Sequence, residues 1–539
     1  SGDIGEVTGV TLQITPQNAT LAVTKVEDTN DGVCNSDCSL REAIAAATPG
    51  QQIVFAAPFF DSPRTLFLGS ELLINKNLAI SGPGAHRLTI SAANRSRVLR
   101  VTGSRVTLTG VRIADGVGND AGCVSASGIN LVLHRVEISN CRATGSGVFG
   151  AGGLSQSPGG SLLLSESSMT GNYGQGDSQA GALNVVGPAR ILRSTISGNL
   201  MVSNFSNKSG GILVSGDLTV IDSTITGNVM RGSGNDQAGG ISHQIGALQI
   251  GNSVVAGNAG GSADITVFSS TTSSRGYNAI GRIGNLSGSF NQPGDQFGTG
   301  VSPLDPILSP LSYHAGSVPV HVPLPGSPLL DKGKSFRATD VRGVPLVNLV
   351  IEPAAGGNDA DIGAVELSPI FVENLSFNDA GSLRQALLNA PAAPAVTDIL
   401  FDPALTVTPA TLRFGTQISI DRNVSIHGPG AQRLTLNGAR QARVLTVLEN
   451  RLVSISGLTL ADGNANSRDN TPPNPGAGGV VLNGAGSHLS IIDSVISGGR
   501  ANAGSAIQNR GALLLRGSTI TGNAGSADNG EIISGFANS

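Results

Sequence analysis

Tryptophan is missing from this 539-residue sequence, and three tyrosines stand beside fifteen phenylalanines. Sugar rings dock by stacking on large, rigid aromatic faces, so a processive or tight polysaccharide cleft is hard to build from this composition. Charge is sparse as well: Asp, Glu, Lys and Arg make up 13% of residues, and the net charge is −4. With 33 basic against 37 acidic residues there is no cationic surplus to neutralise phosphates, which argues against a nucleic-acid partner. No run of 18 apolar residues occurs, so no membrane-spanning helix is expected. A Gly-X-Y period is absent, which removes collagen. The chain opens on Ser-Gly-Asp without a basic-then-apolar leader, so a signal peptide is expected to have been removed or never present.

What is abundant points to a repeat. Glycine supplies 75 residues and hydrophobic residues 39%, mostly Val, Ile, Leu and Ala. That is enough apolar content to rule out disorder, in a chain too long for one ordinary core. Ala151-Gly152-Gly153-Leu154, Ala180-Gly181-Ala182-Leu183, Ser209-Gly210-Gly211-Ile212 and Ala238-Gly239-Gly240-Ile241 align, their aliphatic position advancing by 29 each time. In phase with them run Ser-Met-Thr-Gly-Asn172, Thr-Ile-Ser-Gly-Asn199, Thr-Ile-Thr-Gly-Asn228 and Val-Val-Ala-Gly-Asn258. Between these motifs lie short alternating runs such as Leu218-Thr219-Val220-Ile221, giving about three short strands per unit. No 3.6-residue period fits, and neither leucine-rich nor propeller signatures appear. The expected fold is all-β: a right-handed parallel β-helix with aliphatic ladders inside and the recurring Asn stacked from coil to coil.

A longer duplication overlies the short one. Ser39-Leu40-Arg41-Glu42-Ala43-Ile44 returns as Ser382-Leu383-Arg384-Gln385-Ala386-Leu387, and Gly82-Pro83-Gly84-Ala85-His86-Arg87-Leu88-Thr89 as Gly428-Pro429-Gly430-Ala431-Gln432-Arg433-Leu434-Thr435. Two tandem modules follow: residues 1–23 as an N-terminal strand or linker, 24–368 as the first module with an irregular tail from about 290, and 369–539 as a truncated second copy. Ser39 with Glu42, and Ser382 with Gln385, have capping-box spacing, so each module is expected to open with a short capping helix that covers the solenoid end. The sequence stops at Phe536-Ala537-Asn538-Ser539 in mid-repeat, as a fragment of a longer chain would.

Asp31-Gly32-Val33-Cys34-Asn35-Ser36-Asp37 followed by Cys38-Ser39-Leu40-Arg41-Glu42-Ala43 resembles the N-terminal signature of bacterial CSLREA-domain proteins. Asp305-Pro306-Ile307-Leu308, Gly326-Ser327-Pro328-Leu329-Leu330-Asp331-Lys332-Gly333, Thr339-Asp340-Val341-Arg342-Gly343 and Asp361-Ile362-Gly363-Ala364-Val365-Glu366 resemble the tail of choice-of-anchor β-helix proteins, which carry repeats like those of polymorphic outer-membrane proteins. The resemblance covers roughly 24–368. It implies an exported bacterial surface protein, often part of a longer anchored chain, and it transfers no catalytic motif. The second module departs from it, with Gly381 in place of the second cysteine.

The cysteines fall into two local pairs, Cys34 with Cys38 and Cys123 with Cys141. In an exported chain they read as two disulfides; no histidine lies near either pair to complete a zinc site. Asp28, Asn30, Asp31 and Asp37 gather hard oxygens around a turn and are the candidate Ca²⁺ ligands, although their spacing departs from the EF-hand and equally suits an Asx-rich turn. Catalytic residues are not apparent. Basic residues between 150 and 240 are few (Arg190, Arg193, Lys208 and Arg231), the acids there do not recur at one position of the frame, and no paired carboxylates mark a hydrolase. His134-Arg135 with Glu137 reads as a solvated strand face, and His243 as a turn or groove residue. Thr195, Ser197, Thr224 and Thr226 stack in frame as an ice-binding face would, but the ladder is short. The functional expectation is therefore a secreted or cell-surface β-helix acting as a rigid adhesin, stalk or passenger. Its expected partner is a surface glycan or a host or matrix protein, met by weak contacts along a face. The alternative is a polysaccharide lyase or glycoside hydrolase of the pectate-lyase-like class.

Overall fold

The computed structural model describes residues 20–145, 150–235, 237–347, 349, 354–466, 476–525 and 533–535. Residues 1–19 and the Phe536–Ser539 end, on which two of the expectations above fall, lie outside them.

The 29-residue frame becomes coils stacked in register. Leu154, Leu183, Ile212 and Ile241 pair in succession on parallel strands, all fully buried. A second ladder runs Leu66, Ile90, Ile113, Ile138, Met169, Ile196 and Ile225 along a ten-stranded sheet. Strand alternation sends these side chains inward and their neighbours outward, so the core is a column of aliphatic rungs about 4.8 Å apart. The chain is thus an all-β parallel solenoid. Its other two walls join through the 14-residue strand Ala238–Gly251, which pairs with both Ile212–Ser215 and Leu218–Ile221.

The corners explain the Gly and Asn content. A Cβ on Gly152 or Gly181 would sit 2.1 Å from the carbonyl oxygen of Gly181 or Gly210 respectively, so the coils could not close with any larger residue there. Each ladder Asn follows a glycine at positive φ and turns its amide into the stack. Asn172 Nδ2 donates to Asn199 Oδ1 at 2.8 Å, Asn199 to Asn228 at 2.8 Å, and Asn228 to Asn258 at 2.9 Å. Asp264 ends the ladder by accepting from Asn258 Nδ2 at 3.0 Å.

A second stack has its own sheets of six, five and five strands, beginning at Pro369–Val372, Ala410–Arg413 and Ile418–Ile420, and its own apolar core. No strand pairs across the two stacks among the described residues. Seven-residue helices, Leu40–Ala46 and Leu383–Asn389, precede the second strand of each stack and pack beside its first.

Between the stacks, the described residues of 299–368 form no helix or strand, only short antiparallel bridges such as Ser312 with Val320. This segment does not trail away as a tail. Val318, Val320, Val322 and Val365 pack between Ala85 of the first stack and Leu400 of the second. It also covers the Thr/Ser face: Thr224 Oγ1 accepts from Ala364 N at 3.2 Å, and Ser197 Oγ bonds His321 Nε2 at 2.7 Å. The ice-binding option falls for that reason, because Thr195, Ser197, Thr224 and Thr226 are all buried. On the other side, the six-stranded sheet is buried on both faces at Val396–Phe401, Asn423–His427 and His488–Ile492.

Candidate functional site

A cavity of about 920 Å³ lies where the two stacks and the linking segment meet. One wall comes from the ten-stranded sheet. Because Leu66, Ile90, Ile113 and Ile138 point inward, the alternate ladder Thr65, Thr89, Arg112 and Glu137 points out into the cavity. Arg64 and Arg87 flank it. The opposite wall is the end of the second stack, with His488, Arg510 just before the paired strand Ala512–Arg516, and Arg516 at that strand's end. Tyr313 enters from the linking segment.

The floor is drawn from three distant parts of the chain, two joined by hydrogen bonds and the third by ring contact. The buried Tyr313 hydroxyl donates to Glu137 Oε2 in a short hydrogen bond, and its ring lies 4.3 Å from that of His488, centroid to centroid. Arg112 Nε sits 3.2 Å from Glu137 Oε1 and donates to Ser139 Oγ at 2.9 Å. Burial, reinforced by the Glu137 charge, holds the Tyr313 phenol well above its ordinary pKa, so it stays protonated. Glu137 in turn raises the Arg112 guanidinium. Burial pushes His86 down to about 3 and His488 down to about 4, so both are neutral near pH 7. Arg87 Nε and His86 Nδ1 are buried and have no hydrogen-bond partner among the described residues. Arg87, Arg510 and Arg516 likewise have no carboxylate partner there. The arrangement suits the holding of oxyanions better than the moving of protons.

Sequence reasoning missed this site. It sought basic residues inside the regular coils 150–240, whereas the cavity arginines come from earlier coils and from the second stack. The solvated-face reading holds for the exposed Arg135 and in part for the half-buried His134, and is corrected for Glu137. Arg135 adopts a positive φ of 53° and ends the strand, so alternation does not carry across it. Arg135 pairs with Glu166 at 2.8 Å, His134 Nδ1 bonds Ser165 Oγ at 3.0 Å, and Glu137 is buried on the cavity floor. His243 is neither turn nor groove: it is buried in a strand, its Nε2 2.8 Å from Gly216 O.

The four candidate calcium ligands are not brought together. Arg41 holds both Asp28 oxygens at 2.9 and 2.8 Å, Lys25 pairs with Asp37 at 2.9 Å, Asp31 Oδ1 accepts from Val33 N, and Asn30 is exposed. Among the described residues, the three carboxylates that do converge within 4.8 Å are Asp331, Asp361 and Glu366. Their oxygens accept backbone amides: Leu349 N at Asp331, Asp331 N and Leu367 N at Asp361, and Val347 N and Asp361 N at Glu366. Burial and mutual repulsion push Asp361 and Glu366 up, and the trio works as a hub pinning the linking segment.

Both cysteine pairs are disulfides, and no free cysteine remains. Ser39 and Glu42 form a complete capping box. The second is half formed: Ser382 caps Gln385 N at 3.3 Å, but the Gln385 amide turns along the helix to Asn389 at 2.8 Å. A neutral amide accepts more weakly than a carboxylate, and the Asn four residues on captures it.

No family model matches the chain, and no curated protein matches it either. Among solved structures it is similar to pectate lyase Pel9A, with 14% identity and a TM-score of 0.31, over 66% of this chain and 98% of that one. It is also similar to the PL6 family alginate lyase AlyGC, with 10% identity and a TM-score of 0.19, over 94% and 81%. At these values neither likeness bears on activity, substrate or metal.

Proposed function

We propose that this chain is an exported surface protein of the CSLREA and choice-of-anchor kind. In this reading it comprises two tandem right-handed β-helix modules, each headed by a capping helix, and works as a rigid adhesin that holds an extracellular saccharide in the cleft between its stacks. Two disulfides fit an oxidising compartment, and no helix among the described residues is long and apolar enough to cross a membrane. The observation that carries the binding role is the engaged floor of the cleft. A lyase or hydrolase, the alternative, needs a free base or two free carboxylates. Tyr313 is locked protonated onto Glu137, Glu137 is held by Arg112 as well, and the other cavity acid, Asp115, accepts from Ser91 Oγ at 2.8 Å; the cavity imidazoles His86 and His488, pushed down to about 3 and about 4, are weak bases.

The test pairs binding with turnover on the full chain. Immobilised protein should retain oligosaccharides from a glycan array while producing no unsaturated products from uronic-acid polymers, followed by double-bond absorbance. Steady product formation that stops in Tyr313→Phe would replace the adhesin reading with the lyase.

A further inference from the structure

We propose that the cleft selects polyanionic saccharides, glycan chains bearing carboxylate or sulfate groups. This rests on the binding role proposed above and adds the chemistry of the ligand.

Five arginines line the cavity, Arg64, Arg87 and Arg112 from the first stack and Arg510 and Arg516 from the second, against two carboxylates, Asp115 and Glu137. Five guanidiniums against two carboxylates give the cavity net positive charge inside a chain whose total is −4, and both carboxylates are already hydrogen-bonded within the protein. Such focusing of one sign into a cleft is what attracts an oppositely charged ligand. Guanidinium groups without an acid partner offer paired N–H donors to carboxylate or sulfate oxygens. Arg87 Nε, buried without a partner, is a donor waiting for one.

The rest of the lining fits a hydroxyl-rich chain. Thr65, Thr89 and Thr170 place small hydroxyls along the wall, on coils that span five strands, about 19 Å at the inter-strand spacing, while the Ser139 and Ser197 hydroxyls are already taken by Arg112 and His321. The volume lies within the range of sites that enclose small ligands. The aromatic shortage then decides between ligand classes. No Trp exists and Tyr313 is packed into the floor, so Phe67 is the one exposed phenyl or phenol ring in the lining, a single face against five guanidinium groups. Charge is the larger means of grip.

Isothermal titration of the full-length protein with a heparin hexasaccharide, an oligogalacturonate, neutral maltohexaose and a polyglutamate peptide tests this. One or both anionic oligosaccharides should bind, with affinity falling at least tenfold between 50 and 500 mM salt. The exposed pair substitution R510S/R516S should weaken that binding at least tenfold with an unchanged melting curve, whereas the charge-matched control R100S/R231S, on exposed positions outside the cleft, should not. The two anionic arms tell sulfate from carboxylate preference. Maltohexaose binding equally well, and lost in R510S/R516S, would leave the binding role standing and overturn the anionic class. Capture of polyglutamate alone would overturn the saccharide. Failure of every probe to bind would overturn the binding role itself.

Discussion

Arg342 and Asp398 meet as a bidentate ion pair, with Nη1 3.1 Å from Oδ1 and Nη2 3.0 Å from Oδ2, and their side chains are 1% and 0% exposed. Arg342 belongs to the linking segment and Asp398 to the second stack, so this pair fastens one to the other. Arg342 also reaches Asp340 at 3.0 Å and Glu366 O at 2.7 Å, and His427 Nε2 lies 3.1 Å from Asp398. Burial alone would raise the Asp398 carboxyl, but the guanidinium and His427 hold it well below the usual range.

Removing one partner of such a pair leaves an uncompensated buried charge, which costs about 3–5 kcal/mol. Asp398→Asn should therefore lower stability by that amount in urea unfolding. A double-mutant cycle with Arg342→Met should return a coupling of about 2 kcal/mol, since both charges then leave together. A coupling near zero would mean that Asp340 alone satisfies Arg342 and that the fastening is not electrostatic.

Acid should loosen the seam between the stacks. Five of the seven histidines lie along it or beneath the linking segment: His86, His314, His321, His427 and His488. Burial holds His86 at about 3, His321 and His488 at about 4, and His314 well below its ordinary value. The charges facing them are Arg87 at His86, Arg112 at His488, Arg516 at His321, and Arg342 with Asp398 at His314. A folded pKa below the unfolded value of about 6.5 means the unfolded chain binds more protons, so this contribution is intact above 6.5 and declines as pH falls toward about 4. The buried acids run the other way. Asp222, raised by burial to about 6, and the raised Asp361 and Glu366 favour the fold on acidification and withdraw that favour as pH rises through their folded values. Hydrogen exchange compared at pH 7 and 4.5, corrected for intrinsic rates, should show Asn423–His427 and His488–Ile492 losing protection while Asp361–Glu366 keeps it. Equal protection of the two strands at both values would show that His314 and His488 are not held neutral.

The solenoid was readable because its cause is local. The 29-residue step from Leu154 to Ile241 is the geometry of one coil, and the Gly-Asn pair recurs because each coil needs the same turn. The cleft was not readable, because its parts touch only after the second stack folds back. Glu137 and Tyr313 are separated by 176 positions, and no period relates them. The tail motifs were visible as strings, yet their role was hidden. Asp331, Asp340, Arg342, Asp361 and Glu366 turn out to be the buried acids and base that tie backbone amides into the linking segment. Capping illustrates the limit of a spacing rule: Ser-x-x-Glu and Ser-x-x-Gln look alike, but only the carboxylate returns the bond.

Breaking the asparagine ladder in its middle should cost more than any single exposed amide. Asn199 accepts from Asn172 N and Nδ2, and donates to Asn228 Oδ1 and Met169 O, all within the core. Asn199→Ala strands donors above and an acceptor below, each worth about 1–3 kcal/mol when buried without a partner. A loss of about 3 kcal/mol or more is expected in thermal or urea unfolding, against less than about 0.5 kcal/mol for Asn235→Ala in an exposed turn. Similar losses for the two would remove the ladder as a source of stability.

The two helix caps should respond unequally to the same substitution. Ser39 Oγ accepts from Glu42 N at 3.1 Å and donates to Thr29 O at 2.7 Å, while the Glu42 carboxylate takes Ser39 N at 2.7 Å and both Thr29 Oγ1 and Asp31 N at 3.1 Å. The first cap therefore also ties down the acidic loop 28–37. Ser382 Oγ makes the single cap bond to Gln385 N, and the Gln385 side chain stays on its own helix. An N-cap Ser→Ala change costs about 0.5–2 kcal/mol, depending on how many donors it strands. Ser39→Ala should fall at the top of that range and Ser382→Ala near the bottom. In hydrogen exchange the first should expose Asp31 and Cys38 amides together with the helix, since losing Ser39 frees the loop as well. The second should affect residues 383–389 alone. Equal losses at the two positions would mean that the loop is held by the Cys34–Cys38 disulfide and by Arg41 rather than by the cap.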